Sequence, residues 1–201
     1  SYGGSLKDTA PIDLAIPVAK DAIAKSGVPA DAIQHAIYGH VIHTEPRAMY
    51  SPRCISIGAG LAEIAPAFQV NRLCGSGLQA IVSATQLIKL GDCDTALAGG
   101  VEVMSLGAYI LPAQRWGARM GDAAVVDMMT GALHDPFGLG HMGITAENVA
   151  ADYQISREDM DAFAAQSQSR AAHADAAGYF ASQITTIELT QRRKIVPFAK
   201  D

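Results

Sequence analysis

No apolar run in this sequence comes near the roughly 20 residues that span a bilayer, so no membrane-crossing helix is expected. Positive charge is scarce: 15 Lys and Arg against 20 Asp and Glu leave a net charge of −5. That balance argues against nucleic acid as a partner. The one basic cluster, Arg192-Arg193-Lys194, reads as a solvated turn. Cysteine is rarer still. Three residues, an odd number without paired spacing, fit a reducing compartment rather than a disulfide scaffold. The opening Ser1-Tyr2-Gly3-Gly4-Ser5 is polar and leads into no apolar stretch, unlike a secretory leader, so the cytosol is the expected location. Metal-ligand spacing is missing too. On a strand, His40 and His43 would face opposite sides, and no metal is expected.

Hydrophobic residues make up 49% of the chain and charged ones 17%, which suggests a chain buried both internally and against a partner subunit. Leu14, Ile16, Val18, Ala19, Ala22 and Ile23 form one helical stripe that Gly27 ends, with Pro17 as a kink or a late start. A strand is expected in the second half of 33–42, a helix over 47–61, a strand over 67–73, a helix over 75–90 and a strand over 95–104. This alternation predicts an α/β sheet with helical cover.

After residue 104 the texture changes. An irregular, glycine-rich stretch holding Pro112 and Pro136 runs to Gly143. Thr145 is expected to cap a short helix, and Ser156 with Asp159 to open a longer one through Ala177. A boundary is therefore expected between 1–104 and 105–201.

One stretch concentrates chemistry: Asn71-Arg72-Leu73-Cys74-Gly75-Ser76-Gly77-Leu78-Gln79-Ala80. Cys74 falls where the strand turns into the helix, facing unpaired backbone N–H groups and the positive end of the helix dipole. Both favour the thiolate. The two glycines permit a tight turn and close approach of a substrate. An isolated cysteine also fits the role of a small buried hydrophobe, the reading given to Cys54 and Cys93. Gly75-Ser76-Gly77 and Gly138-Leu139-Gly140-His141-Met142-Gly143 each satisfy a dinucleotide-binding pattern in letter. The second follows no strand, and the first is led by a cysteine where pyrophosphate would sit.

The segment around Cys74 resembles the nucleophile segment of the thiolases. So do Gly3-Gly4-Ser5-Leu6, Ala98-Gly99-Gly100-Val101-Glu102-Val103-Met104-Ser105, Arg119-Met120-Gly121-Asp122, and His141-Met142-Gly143-Ile144-Thr145-Ala146-Glu147-Asn148. His43-Thr44-Glu45-Pro46-Arg47 and the run from Arg115 to Asp122 look most like bacterial biosynthetic β-ketothiolases. The resemblance implies the N-terminal core half of a layered α/β thiolase fold with an inserted loop domain. It implies Cys74 as the residue that takes an acyl group from coenzyme A, and Leu133, His141 and Met142 as lining of the coenzyme A and acyl pocket. Substrates would be acyl-CoA and acetyl-CoA, with no separate cofactor. The Arg115–Asp122 region would help subunits pair as a dimer or tetramer.

The family's chain also has a strand before Tyr2 and a second, similar half. That half supplies a Gly-His-Pro histidine, an Asn-Glu-Ala-Phe asparagine and a second cysteine, and none of those motifs occurs in these residues. Carbanion formation needs a positioned base and oxyanion donors. The expectation is a condensing enzyme that is whole only with the rest of its chain, and negligible condensation by these 201 residues alone. The alternatives are a catalytically silent module that binds coenzyme A or a subunit, and a ketoacyl-synthase-type enzyme, which the His141-Met142-Gly143 loop argues against.

Overall fold

The structure, a computed structural model, describes residues 2–191 and 194–199. The basic turn expected at Arg192 and Arg193 lies outside them. The chain separates into two compact units, Ser1–Ala132 and Leu133–Asp201.

The first unit is built on three parallel strands, β1 (His35–Gly39), β2 (Ala67–Val70) and β3 (Ala96–Gly100), in the order β2-β1-β3. The register places Ile37 beside Phe68 and Ala98. Central β1 is covered on both faces, as parallel sheets are. Ala36, Tyr38 and Leu97 pack with Ile12, Ala15, Ala19 and Ile23 of α1 (Pro11–Ser26) and with Ile55 and Ala59 of α2 (Ser51–Ala59). Ile37, with Ala96 and Ala98, packs against Ala80 and Ala84 of α3 (Ser76–Leu90) on the other face. The opposite side of α3 leaves Leu78, Ile81, Val82 and Ile88 exposed, a stripe at helical spacing.

Several boundaries differ from expectation. Helix α1 starts at Pro11, where a missing N–H costs nothing, and runs through Pro17 to a left-handed Gly27. The helix expected over 47–61 is a 3₁₀ turn, Pro46–Tyr50, followed by α2. The strand before Cys74 stops at Val70, three residues early. Beyond β3 come a 3₁₀ turn at Met104–Leu106, the pair β4 (Tyr109–Ile110) and β5 (Val126–Asp127), and a short α4 (Met128–Ala132).

In the second unit, β6 (His134–Asp135) and β7 (Gly140–His141) form a tight antiparallel pair that runs into α5 (Met142–Asp152). The cap of α5 is His141, not Thr145: its Nδ1 accepts from the Gly143 N–H at 3.0 Å. Histidine is an unusual cap, which hid the earlier start. Ser156 caps α6 (Arg157–Ala176) as expected, accepting from the Asp159 N–H at 3.1 Å. Strands β8 (Ile187–Gln191) and β9 (Lys194–Phe198) pair antiparallel. Among the described residues no helix is long and apolar enough to cross a membrane.

Candidate active site

Cys74 is exposed and lies one residue ahead of Gly75, the N-cap of α3. The turn that carries it is locked by its own side chains. Asn71 Oδ1 accepts from the Leu73 N–H at 3.1 Å, which ends β2 by competing with the ladder. Ser76 Oγ, buried, accepts from the Arg72 N–H at 2.8 Å and donates to the Leu73 carbonyl at 2.6 Å. The N–H groups of Gly75 and Ser76 donate back to the carbonyls of Arg72 and Leu73. The Arg72 guanidinium reaches forward to Gln79 Oε1 at 2.6 Å.

The left-handed residue in this turn is Leu73, with φ of 48°, and not a glycine. A side chain there costs roughly 1–2 kcal/mol, so the surrounding hydrogen bonds hold the residue before Cys74 in a disfavoured state. Glycine serves close packing at the neighbouring strand ends instead. A Cβ on Gly39, at the end of β1, would lie 2.6 Å from the Ser76 carbonyl carbon and 2.8 Å from the Gly77 nitrogen. One on Gly100, at the end of β3, would lie 3.4 Å from Gly77 Cα. The carboxyl ends of two strands thus press on the first turn of α3 with no side chain between, and a Cβ on Gly77 itself would meet open space.

The other two cysteines differ in setting. Cys54 sits half-buried in α2. Cys93 is buried, and burial, with Asp92 and Asp94 beside it, pushes its thiol up from the ordinary range. Neither has the setting of a nucleophile.

In the second unit, three residues expected to line a pocket come together. The Met142 N–H donates to the Leu133 carbonyl at 2.8 Å, and His134 lies directly across the β6–β7 pair from His141. The two imidazoles meet edge to face at 5.2 Å. Because Nδ1 of His141 accepts from the backbone, its neutral ring carries the proton on Nε2, leaving a donor on an exposed side chain. Asp135 Oδ2 accepts from the N–H groups of Phe137 and Leu139 and closes the hairpin. Gly138 and Gly140 there have φ of 99° and 88°, so the glycine pattern of 138–143 builds a turn and not a dinucleotide loop.

Two features escaped the sequence reading. His40 and His43 do not face opposite ways. Strand β1 ends at Gly39, alternation lapses, and their rings stack at 5.4 Å with an interplanar angle of 20°. Glu102, quoted only as part of a motif, reaches the backbone just past β1. Among the described residues no group of three or more His, Cys, Asp or Glu is placed to hold a metal ion.

The first unit is an α/β layer with an exposed cysteine on a constrained strand-to-helix turn. The chain belongs to the thiolase family: residues 1–201 match the family model described as thiolase, N-terminal domain. It is 54% identical over 201 residues to the beta-ketothiolase BktB of Cupriavidus necator, covering all of this chain and 51% of that protein. It is 44% identical over 194 residues to an acetyl-CoA acetyltransferase of Chromobacterium violaceum, covering 96% of this chain and 49% of the relative. The crystal structure of the Bacillus anthracis acetyl-CoA acetyltransferase superposes with a TM-score of 0.94 at 38% identity, over 100% of this chain and 51% of that one. Human mitochondrial 3-ketoacyl-CoA thiolase in complex with CoA gives 0.91 at 36% identity, over 98% and 49%. The chain spans about half the length of the curated relatives it matches.

Proposed function

We propose that these residues are the nucleophile-bearing half of a β-ketothiolase, an acyl-CoA:acetyl-CoA C-acyltransferase acting through a cysteine acyl-enzyme. The observation that carries this reading is Cys74: exposed, ahead of a helix N-terminus, on a turn whose conformation its neighbours enforce. The thiolate attacks the thioester carbonyl of an acyl-CoA, and the coenzyme A sulfur leaves and takes up a proton. The acyl group then rests on Cys74 Sγ. The second cysteine that the resemblance puts in the family's other half takes an α-proton from acetyl-CoA, and the enolate carbon then attacks the acyl carbonyl and expels the Cys74 thiolate. Thiolysis is the same path reversed. A sulfur suits both directions because it attacks a thioester well and leaves well.

Leu133, His141 and Met142 are assigned to the coenzyme A and acyl pocket. The hydrogen bond between Leu133 and Met142 and the outward Nε2 donor of His141 support that role. Acyl-CoA and acetyl-CoA are the substrates in this reading, with no further cofactor. The division into a core of 1–104 and a substrate-binding and oligomerising segment of 105–201 belongs to it too, as do assembly into dimers or tetramers and a cytosolic location.

Incubating the complete protein with radiolabelled acetyl-CoA, followed by peptide mapping, tests the assignment. Label is expected on the peptide containing Cys74 and is expected to vanish in Cys74→Ser. Label that survives Cys74→Ser would place the nucleophile elsewhere.

A further inference from the structure

A polar network, buried at His40 and Ser51 and open to solvent at Glu102 and His43, ties together the carboxyl ends of all three parallel strands. Glu102 follows β3 by two residues, and its carboxylate accepts from the Val41 N–H at 2.8 Å and from the Ile42 N–H at 3.2 Å, just past the end of β1. His40, 1% exposed, lies between them. Its Nδ1–H donates to the Val101 carbonyl at 2.8 Å and lies 3.3 Å from Glu102 Oε1. Gln69 of β2 donates through Nε2 to the His40 carbonyl at 3.3 Å and to His43 Nε2 at 2.7 Å, while its Oε1 accepts from Ser51 Oγ at 2.7 Å. Main-chain bonds continue the lacing: His40 N–H to the Val70 carbonyl, Val101 N–H to the Gly39 carbonyl.

Burying the His40 ring and the Ser51 hydroxyl costs desolvation that apolar residues of similar size would avoid. Nothing in the acyl-transfer steps above uses this network. Its position suggests a use. Gly39 and Gly100, which contact the first turn of α3 through backbone alone, immediately precede His40 and Val101. With no side chain to absorb a shift, any movement of these strand ends passes directly into that turn.

We propose that Glu102, with His40, is a positioning residue for Cys74: it fixes the strand ends on which the first turn of α3 rests, and so sets where the thiolate stands relative to the bound thioester. This rests on the reading of Cys74 as nucleophile. Glu102 touches neither substrate nor the reacting atoms, and its effect passes through backbone. Misplacing a reacting group by about 1 Å can lower a rate by roughly 10²-fold while leaving binding intact.

The test uses the complete protein, with turnover expressed per thiol titrated at Cys74, so that loss of folded enzyme does not count. Glu102→Ala is expected to lower kcat by about 10- to 100-fold with KM for the CoA thioester within about twofold of wild type. Glu102→Gln keeps one acceptor for the Val41 and Ile42 N–H groups and is expected to recover part of the loss. If Glu102→Ala does not fold, His40→Asn replaces it. The iodoacetamide alkylation rate at Cys74, relative to Cys54 in the same sample, is expected to change as well. Turnover per titrated thiol within twofold of wild type would overturn the proposal, as would a loss carried entirely by KM. If Cys74→Ser retains turnover, the nucleophile assignment fails. The alkylation ratio then still decides whether Glu102 sets the thiol's position, an unchanged ratio overturning it.

Discussion

Tyr38 shows how a single side chain in this sheet responds to its surroundings. It sits on β1 facing α1 and α2, and burial pushes its phenol up to about 12. An unfolded tyrosine titrates near 10. Between those values the native state keeps a proton that the unfolded chain has lost, so stability is full below pH 10 and falls as pH rises towards 12. The slope from this residue is about 1.4 kcal/mol per pH unit. Urea unfolding between pH 9 and 12 is expected to show that decline, and Tyr38→Phe to remove this part of it. Equal slopes in the two proteins would mean that the phenol ionises without disturbing the fold.

At the scale of elements, the junction between the strand ends and α3 separates two glycines that look alike in sequence. Gly39→Ala drives a methyl group into the Ser76–Gly77 backbone, which has no rotamer to change. The expected cost is about 1–3 kcal/mol, read from the urea midpoint. Gly77→Ala faces open space in the first turn of a helix, where exchanging glycine for alanine is expected to gain about 0.5–1 kcal/mol. Opposite signs are thus expected at two glycines that meet in space. A Gly39→Ala variant as stable as wild type would mean that close packing of β1 on α3 is not what Gly39 serves.

Much of this architecture was legible from local pattern. The apolar stripe placed α1 and Gly27 marked its end, and the helix expected over 75–90 and the strand expected over 95–104 fall where α3 and β3 stand. The Cys74 turn was legible as a position but not as a mechanism. That Leu73 would take the left-handed conformation, and Gly75 an ordinary φ of −88°, depends on Asn71 and Ser76 bonding across the turn. Periodicity carries no information about such contacts. The His40–Glu102 pairing was hidden for another reason. Its partners are 62 residues apart in sequence and meet only through the β1–β3 register.

The whole molecule limits what one sulfur can do. A thiolate in position can be acylated or alkylated, but condensation also needs an α-proton removed and charge stabilised on two oxygens. By resemblance, the histidine, asparagine and second cysteine that supply these functions come from a second half not contained in these 201 residues. Loss of a single oxyanion donor costs ~10²–10³ in rate, and here several groups are missing together. The 201-residue chain produced alone is therefore expected to give no measurable thiolysis of acetoacetyl-CoA, followed by loss of its enolate absorbance. Its Cys74 is still expected to react with iodoacetamide faster than Cys93, since Cys74 is exposed while burial and the neighbouring Asp92 and Asp94 push the Cys93 thiol up. Reactive thiol without turnover would locate the deficit in the missing base and donors. Robust thiolysis by this chain would instead mean that its own residues supply a base, and the partition of roles between the two halves would have to be redrawn.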